Sequence, residues 1–217
     1  MKHFLIPIVV AGSLLAHAQA SQPVSRETKG RTPSITMAIL IDNSGSMSDK
    51  RAGVIAASLA LVRASKADDE VGIVDFNDEA LNGLPNGEDF TRDMKEMEEA
   101  LTHLDSRGGS AMRDAVRTSI DQVEQTAHNN RKVLVLVTDG NDSSSTVTQE
   151  QLLSKVKNSG VRVYSIGLLN EADPGQAAAR LALERLAEAS GGRAYYPKDL
   201  AELGSISQEI ANGVRKQ

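Results

Sequence analysis

The sequence Ile35-Thr36-Met37-Ala38-Ile39-Leu40-Ile41 runs directly into Asp42-Asn43-Ser44-Gly45-Ser46. The first stretch is apolar and rich in β-branched residues, which predicts a buried strand. The second stretch places one carboxylate and two hydroxyls at alternate positions, with no His or Cys among them. Hard oxygen atoms of this kind suit a hard cation such as Mg²⁺. The sequence therefore predicts a metal site at the end of a strand in an α/β domain.

Apolar strands and helical patterns alternate along the rest of the chain. Val133–Val137 is a continuous apolar run, typical of a strand covered on both faces in a parallel sheet. Glu79–Leu84 is expected to return beside the strand Val71–Phe76 as a short antiparallel edge strand. The pattern predicts one α/β domain over residues 34–215, with a doubly wound, mostly parallel six-stranded sheet and helices on both faces.

The helices are identified by apolar residues spaced three or four apart. Ile55, Leu59 and Val62 are predicted to form the buried face of a helix over residues 50–65. Met94 and Met97 belong to a second such stripe. We therefore expect both methionines to lie in the core.

The first twenty residues are typical of a secretory signal peptide. Lys2 and His3 precede the apolar run Phe4–Leu15, and Ala18-Gln19-Ala20 predicts cleavage after Ala20. The alternative is a retained N-terminal anchor, although the apolar run is shorter than the roughly 20 residues of a spanning helix. Residues 21–33 are polar and are expected to form a flexible arm. The protein is accordingly expected to be secreted or periplasmic, with no membrane insertion after cleavage.

Composition excludes several functions. The chain has 217 residues and a formal charge of −5. Loss of residues 1–20 removes one lysine and no acid, so the mature charge becomes −6. A mildly acidic protein is a poor nucleic-acid binder, because phosphate binding needs clustered positive charge. The chain has no Cys and no Trp. It therefore has no disulfides, no thiolate metal sites and little material for an aromatic-lined pocket.

Two further polar clusters accompany the first. Asp139-Gly140-Asn141-Asp142 follows the apolar run 133–137, and Gly108-Gly109-Ser110 precedes a predicted helix. In open α/β sheets, ligands bind outside the carboxyl ends of the strands, where the strand order reverses. If the strands at 35–41 and 133–137 are neighbours at that point, their loops face each other. Ser110 then adds another hydroxyl to the same crevice.

These three pieces resemble the metal-ion-dependent adhesion site of von Willebrand factor type A domains. The resemblance covers essentially residues 34–215 and rests on Asp42-x-Ser44-x-Ser46, Gly-Gly-Ser110 and Thr138-Asp139-Gly140. Within that family, the chain is similar above all to bacterial exported members that carry Gly-Gly-Thr-Ala-Leu-x-Asp-Ala. This chain has Ser110 in place of that Thr. Serine keeps the hydroxyl but loses the methyl group that stiffens χ1, so ligation is expected to survive with looser geometry.

The resemblance implies a role for each residue of the site. Ser44 and Ser46 ligate the cation directly, and Ser110 ligates it directly or through water. Asp42 and Asp139 accept hydrogen bonds from bound water or hydroxyls. The implied cation is Mg²⁺, with Mn²⁺ or Ca²⁺ as alternatives. The open coordination position implies a protein partner that presents an Asp or Glu.

Each piece also has a simpler interpretation. Ser44 and Ser46 could cap the following helix, and Asp139-Gly140-Asn141 could be an ordinary turn. The stretch from Asp139 to Glu150 has partial EF-hand spacing, but Ser144 occupies the position that needs Gly. Serine-hydrolase and aspartyl phosphotransfer motifs are incomplete, so no enzymatic activity is expected.

The sequence thus predicts an exported, cation-dependent adhesion domain. The alternative is an assembly module of an envelope complex with a vestigial metal site. The resemblance also makes the helix Leu203–Val214 a candidate moving part. The sequence leaves the partner and the oligomeric state open.

Overall fold

The computed structural model describes residues 32–85, 87–170, 172–199 and 201–216. The predicted signal peptide and the arm up to residue 31 lie outside the described residues. Residues from Thr32 onward form one compact unit. Among the described residues, no helix combines the length and apolar character needed to cross a bilayer.

The described residues contain a six-stranded sheet in the order β3-β2-β1-β4-β5-β6. Its strands are β1 (Ile35–Asp42), β2 (Glu70–Phe76), β3 (Ala80–Asn82), β4 (Arg131–Thr138), β5 (Arg162–Gly167) and β6 (Ala194–Tyr195). All neighbours pair in parallel except β2 and β3, which pair antiparallel. The predicted fold class and its short antiparallel edge strand are confirmed. The central strands β1 and β4 are neighbours, and Ile39 lies opposite Val135.

Six α-helices of the described chain cover both faces of the sheet. They are α1 (Arg51–Ala64), α2 (Met94–Ala100), α3 (Met112–Thr126), α4 (Gln149–Ser159), α5 (Gln176–Ser190) and α6 (Glu202–Arg215). Side chains of β4 alternate between two core layers because successive residues of a strand point to opposite faces. Val133 and Val135 pack in the layer with α1, α2 and α6, whereas Leu134 and Leu136 pack with α3, α4 and α5.

Two predicted helix faces differ from the structure. In α1 the predicted Val62 is buried in the core together with Val54, Ala57 and Leu61. Leu59 is partly buried and packs against that core, and Ile55 is partly buried. The expectation for α2 was half right. Met97 is buried, but Met94 is the first residue of a seven-residue helix and is 39% exposed.

A buried ion pair holds the end of α6 against the start of the sheet. The carboxylate of Asp69 accepts hydrogen bonds from the guanidinium of Arg215 and from the backbone N–H groups of Ile35 and Lys66, the latter two at 3.0 and 2.7 Å. Both members of the ion pair are buried. Such a pair resists disruption, because loss of one partner leaves a buried charge uncompensated.

Candidate metal site

The first loop of the predicted site leaves the carboxyl end of β1. Asp42 is 1% exposed, and its Oδ1 accepts a hydrogen bond from the backbone N–H of Ser44 at 3.1 Å. The hydroxyl of Ser44 lies 3.1 Å from that of Ser46. Ser44 begins a 3₁₀ turn over residues 45–50, but its side chain makes no capping hydrogen bond. The capping interpretation therefore does not account for its hydroxyl.

The second loop leaves the carboxyl end of the neighbouring strand β4. The hydroxyl of Thr138 donates to Oδ2 of Asp42 at 2.5 Å, which joins the two strand ends directly. Asp139 is the first residue after β4 and is 4% exposed. Asp42, Ser44, Ser46 and Asp139 thus lie at or just after the ends of two neighbouring strands, and we call this set of side chains the oxygen chain. The strands β1 and β4 are neighbours, as the prediction required, and the hydrogen bond from Thr138 to Asp42 joins their ends.

The third loop packs against the other two mainly through its backbone. The N–H of Gly45 donates to the carbonyl of Gly108 at 3.1 Å, and the N–H of Ser143 donates to the carbonyl of Ser110 at 2.9 Å. The hydroxyl of Ser110 is buried and donates to the carbonyl of Asn141 at 2.9 Å. The structure therefore places Ser110 in the crevice while its hydroxyl bonds to the loop after β4.

A lysine that sequence reasoning missed reaches the same place. Nζ of Lys50 lies 2.8 Å from Oδ2 of Asp139, and the backbone N–H of Asn141 donates to Oδ1 at 3.1 Å. These two contacts orient the carboxylate. Only the position of Lys50 four residues after Ser46 could have suggested this contact. The site already accommodates one positive charge.

The two carboxylates have opposite electrostatic environments. Burial raises the pKa of Asp42 to about 6 from 3.8, although hydrogen bonds from Ser44 and Thr138 oppose the rise. Burial also disfavours the charged form of Asp139, but the hydrogen bond and the charge of Lys50 hold the pKa of this carboxyl below its ordinary value. A cation beside Asp42 would relieve the cost of its buried negative charge.

Other polar residues that the sequence reasoning gave no role fix the loops. The side chain of Asn43 accepts backbone hydrogen bonds from Asp105 and Ser106 at 3.1 and 2.6 Å. The carboxylate of Asp78 accepts hydrogen bonds from the N–H of Gly109 at 3.0 Å and the hydroxyl of Ser144 at 2.9 Å. These contacts join segments distant in sequence, so the loops are positioned before any ligand binds.

The donor set can be tested against a small octahedral cation. Mg²⁺ binds oxygen at about 2.1 Å, so adjacent ligands of its octahedron lie about 3.0 Å apart. The 3.1 Å separation of the Ser44 and Ser46 hydroxyls fits that edge. Among the described residues, no three His, Cys, Asp or Glu side chains cluster so that they could hold a metal by themselves. Hydroxyl oxygens would therefore have to be ligands here.

Comparison with known proteins identifies a matching family model and several similar structures. The family model described as von Willebrand factor type A domain matches residues 36–209. No curated protein matches. A von Willebrand factor type A structure from Catenulispora acidiphila superposes with a TM-score of 0.70 at 22% identity, over 84% of this chain and 43% of the other.

Two pilus proteins are also similar in structure. The vWF domain of the type V pili tip protein Mfa5 from Porphyromonas gingivalis superposes with a TM-score of 0.67 at 14% identity, over 86% of this chain and 98% of the other. A mutant of the PilB minor pilin from Streptococcus sanguinis superposes with a TM-score of 0.68 at 13% identity, over 88% of this chain and 63% of the other. Identities this low establish a shared fold.

Proposed function

The chain belongs to the von Willebrand factor type A family, and on that premise we propose that it is an exported protein-binding domain. In this proposal a divalent cation, Mg²⁺ in the first instance, is held by Asp42, Ser44, Ser46, Ser110 and Asp139. An Asp or Glu side chain of a partner protein completes the site. The domain acts by adhesion and carries out no catalysis.

The observation that carries the proposal is the oxygen chain across the carboxyl ends of β1 and β4. Asp42 accepts hydrogen bonds from the N–H of Ser44 and from the hydroxyl of Thr138 at the end of β4. The hydroxyl of Ser44 lies 3.1 Å from that of Ser46, and Asp139 directly follows Thr138. Asp42 is buried with a raised pKa, so its charge lacks a full partner in the protein alone. A cation at this place is the simplest way to compensate that charge.

The neutral hydroxyls explain why adhesion suits this site. Ser44, Ser46 and Ser110 contribute oxygen atoms without negative charge, so a divalent cation bound there keeps an affinity for a further anion. Ser46 is exposed. An acidic side chain approaching from solvent could therefore reach a cation held at its hydroxyl.

The names of the relatives support an envelope location. They include a pili tip protein, a minor pilin, and the pilus adhesin SpaC from Lactobacillus rhamnosus GG, a structure that superposes at 14% identity over 87% of this chain and 30% of its own. Together with the signal-like sequence of residues 1–20, they support export to the periplasm or cell surface.

One observation favours the alternative of an assembly module with a vestigial metal site. The ammonium of Lys50 already pairs with Asp139 at 2.8 Å. If this contact persists when cations are present, partners would bind through the helical faces instead. The two functions differ in their response to chelator.

Calorimetric titration of the metal-free protein with Mg²⁺ tests the proposal. We expect one bound ion, and we expect the double variant Ser44→Ala/Ser46→Ala to bind it at least about tenfold more weakly. Ser154→Ala, an exposed serine on α4, serves as the matched control and should bind like the parent protein. Equal affinity in the double variant would refute the metal assignment.

Partner capture from an envelope extract tests the adhesion step. A partner retained in Mg²⁺ and released by chelator supports adhesion through the cation. Retention that survives both chelator and the double substitution would contradict it and favour the assembly module.

A further inference from the structure

A positively charged cleft lies at the end of the sheet opposite the metal site. It is a cavity of about 410 Å³ where β4 and β5 begin, bordered by the ends of α4, α5 and α6. Four cationic residues line it: Arg131, Lys132, Lys157 and Arg162. No acidic residue belongs to its described lining. We call this cavity the basic cleft.

The four cations have no acidic partners in the described part of the chain. Arg131 donates to the carbonyls of Val214 and Arg215 at 3.0 and 2.6 Å, and Lys132 donates to the carbonyl of Glu124 at 3.2 Å. None of the four forms an ion pair with a described carboxylate. By contrast, Lys155 on the same helix as Lys157 contacts two carboxylates.

Helix dipoles account for only part of this positive charge. Three helices end at the basic cleft, and each carboxyl end carries about half a negative charge. Together they offset roughly one and a half of the four positive charges. A surplus of more than two charges remains, in a protein whose net charge is −5. The basic cleft is therefore more positive than helix stabilisation requires.

The basic cleft continues into a groove between α4 and α5. A second cavity of about 590 Å³ shares Lys157 and Ala189 with it. This groove adds Arg185 and the half-buried Leu153, with Glu188 as its acidic lining residue. Five of the six described charged residues that line the two cavities are cationic, which favours a partner carrying several carboxylates. A partner that occupies both cavities must reach across the shared residues Lys157 and Ala189, which suits an extended segment.

We propose that the basic cleft and this groove form a second protein-binding site, which takes an extended partner segment carrying several Asp or Glu residues. The site is separate from the metal. Arg131 and Thr138 are the first and last residues of β4, so the two ends lie about 23 Å apart along the strand. Such a domain can hold one partner at each end of its sheet.

Binding of a fluorescein-labelled octaglutamate peptide to the full chain tests the site. Fluorescence anisotropy is measured in chelator, so that the metal site cannot contribute. We expect saturable binding that weakens as salt rises from 50 to 200 mM, because charge attraction drives it. A labelled octaglutamine peptide should not bind. No octaglutamate binding at 50 mM salt would overturn the proposal.

Charge-matched variants locate the site. Lys132→Gln/Lys157→Gln should weaken octaglutamate binding at least tenfold, and Arg162→Gln should weaken it several-fold. Lys95→Gln/Arg117→Gln removes the same charge from exposed positions on α2 and α3 and should bind like the parent. Thermal unfolding confirms that each variant is folded.

Equal weakening in the control variant would overturn the proposal, because it would show a non-specific charge effect. The proposal would also be overturned if phosphatidylglycerol vesicles bound in a way that depends on the cleft lysines while octaglutamate did not bind. Self-association that the cleft variants abolish, again without octaglutamate binding, would likewise refute an acidic partner. Because the assay contains chelator, failure of the metal proposal does not affect its outcome.

Discussion

Replacing Asp42 by Asn is expected to stabilise the metal-free protein at neutral pH. The carboxyl of Asp42 is 1% exposed, and its pKa is raised to about 6 from 3.8. A difference of about two pKa units corresponds to about 3 kcal/mol of destabilisation when the group is ionised. Asparagine removes that charge. It also loses the acceptor for the hydroxyl of Thr138, which costs about 1 kcal/mol.

The net gain is therefore about 2 kcal/mol at pH 7.5, or a rise in the melting temperature of about 4–8 °C. The sign depends on pH. The folded state holds the proton of Asp42 more tightly than the unfolded chain, so its contribution to stability falls as pH rises from about 4 to about 6. Above pH 6 the loss is complete. At pH 4 the advantage of Asp42→Asn disappears, and only its lost hydrogen bond remains.

Urea denaturation of metal-free parent, Asp42→Asn and the control Asp49→Asn measures this effect. Asp49 is exposed in the same loop, so its substitution should change the free energy of unfolding by less than about 0.5 kcal/mol. Adding Mg²⁺ should stabilise the parent and leave Asp42→Asn unchanged. The reasoning is refuted if metal-free Asp42→Asn is less stable than the parent at pH 7.5, and if the difference in free energy of unfolding is as large there as at pH 4.

Three other substitutions test the packing and the site. Asp69→Ala leaves the arginine at the end of α6 as an unpaired buried charge. Urea denaturation should show a free energy of unfolding lower by about 3–5 kcal/mol. A loss below about 1 kcal/mol would contradict the buried ion pair. Met97→Ala should lose about 2–5 kcal/mol but Met94→Ala less than about 0.5, and equal losses would show that the two methionines are equally buried. Lys50→Met removes the ammonium partner of Asp139, so the calorimetric affinity for Mg²⁺ should rise roughly tenfold; unchanged or weaker binding would show that the lysine does not compete.

The two central strands could be predicted because their sequences are apolar on both faces. Ile35–Ile41 and Val133–Val137 have no polar face, and such runs belong to central parallel strands. Once the two strands are neighbours, the polar residues that follow them must meet at one edge of the sheet. The encounter of Asp42 with the loop after β4 follows from that topology.

The remaining features depend on contacts that periodicity does not encode. Lys50 and Asp139 are 89 positions apart, and no local pattern pairs them. The buried face of α1 was predicted only in part, because the stripe of large residues included Ile55 and left out small buried residues such as Ala57. Met94 was misplaced because α2 is short and its first residue points away from the core. Side-chain size and chain position decided these cases.

Crystals of the protein grown or soaked in Mn²⁺ provide the most direct measurement of the central claim. Anomalous scattering locates this cation without assumptions about its ligands. The account predicts one Mn²⁺ peak in contact with the hydroxyl oxygens of Ser44 and Ser46, with the ammonium of Lys50 displaced from Asp139. Absence of a peak at these hydroxyls in well-diffracting crystals, with Lys50 still paired to Asp139, would contradict it.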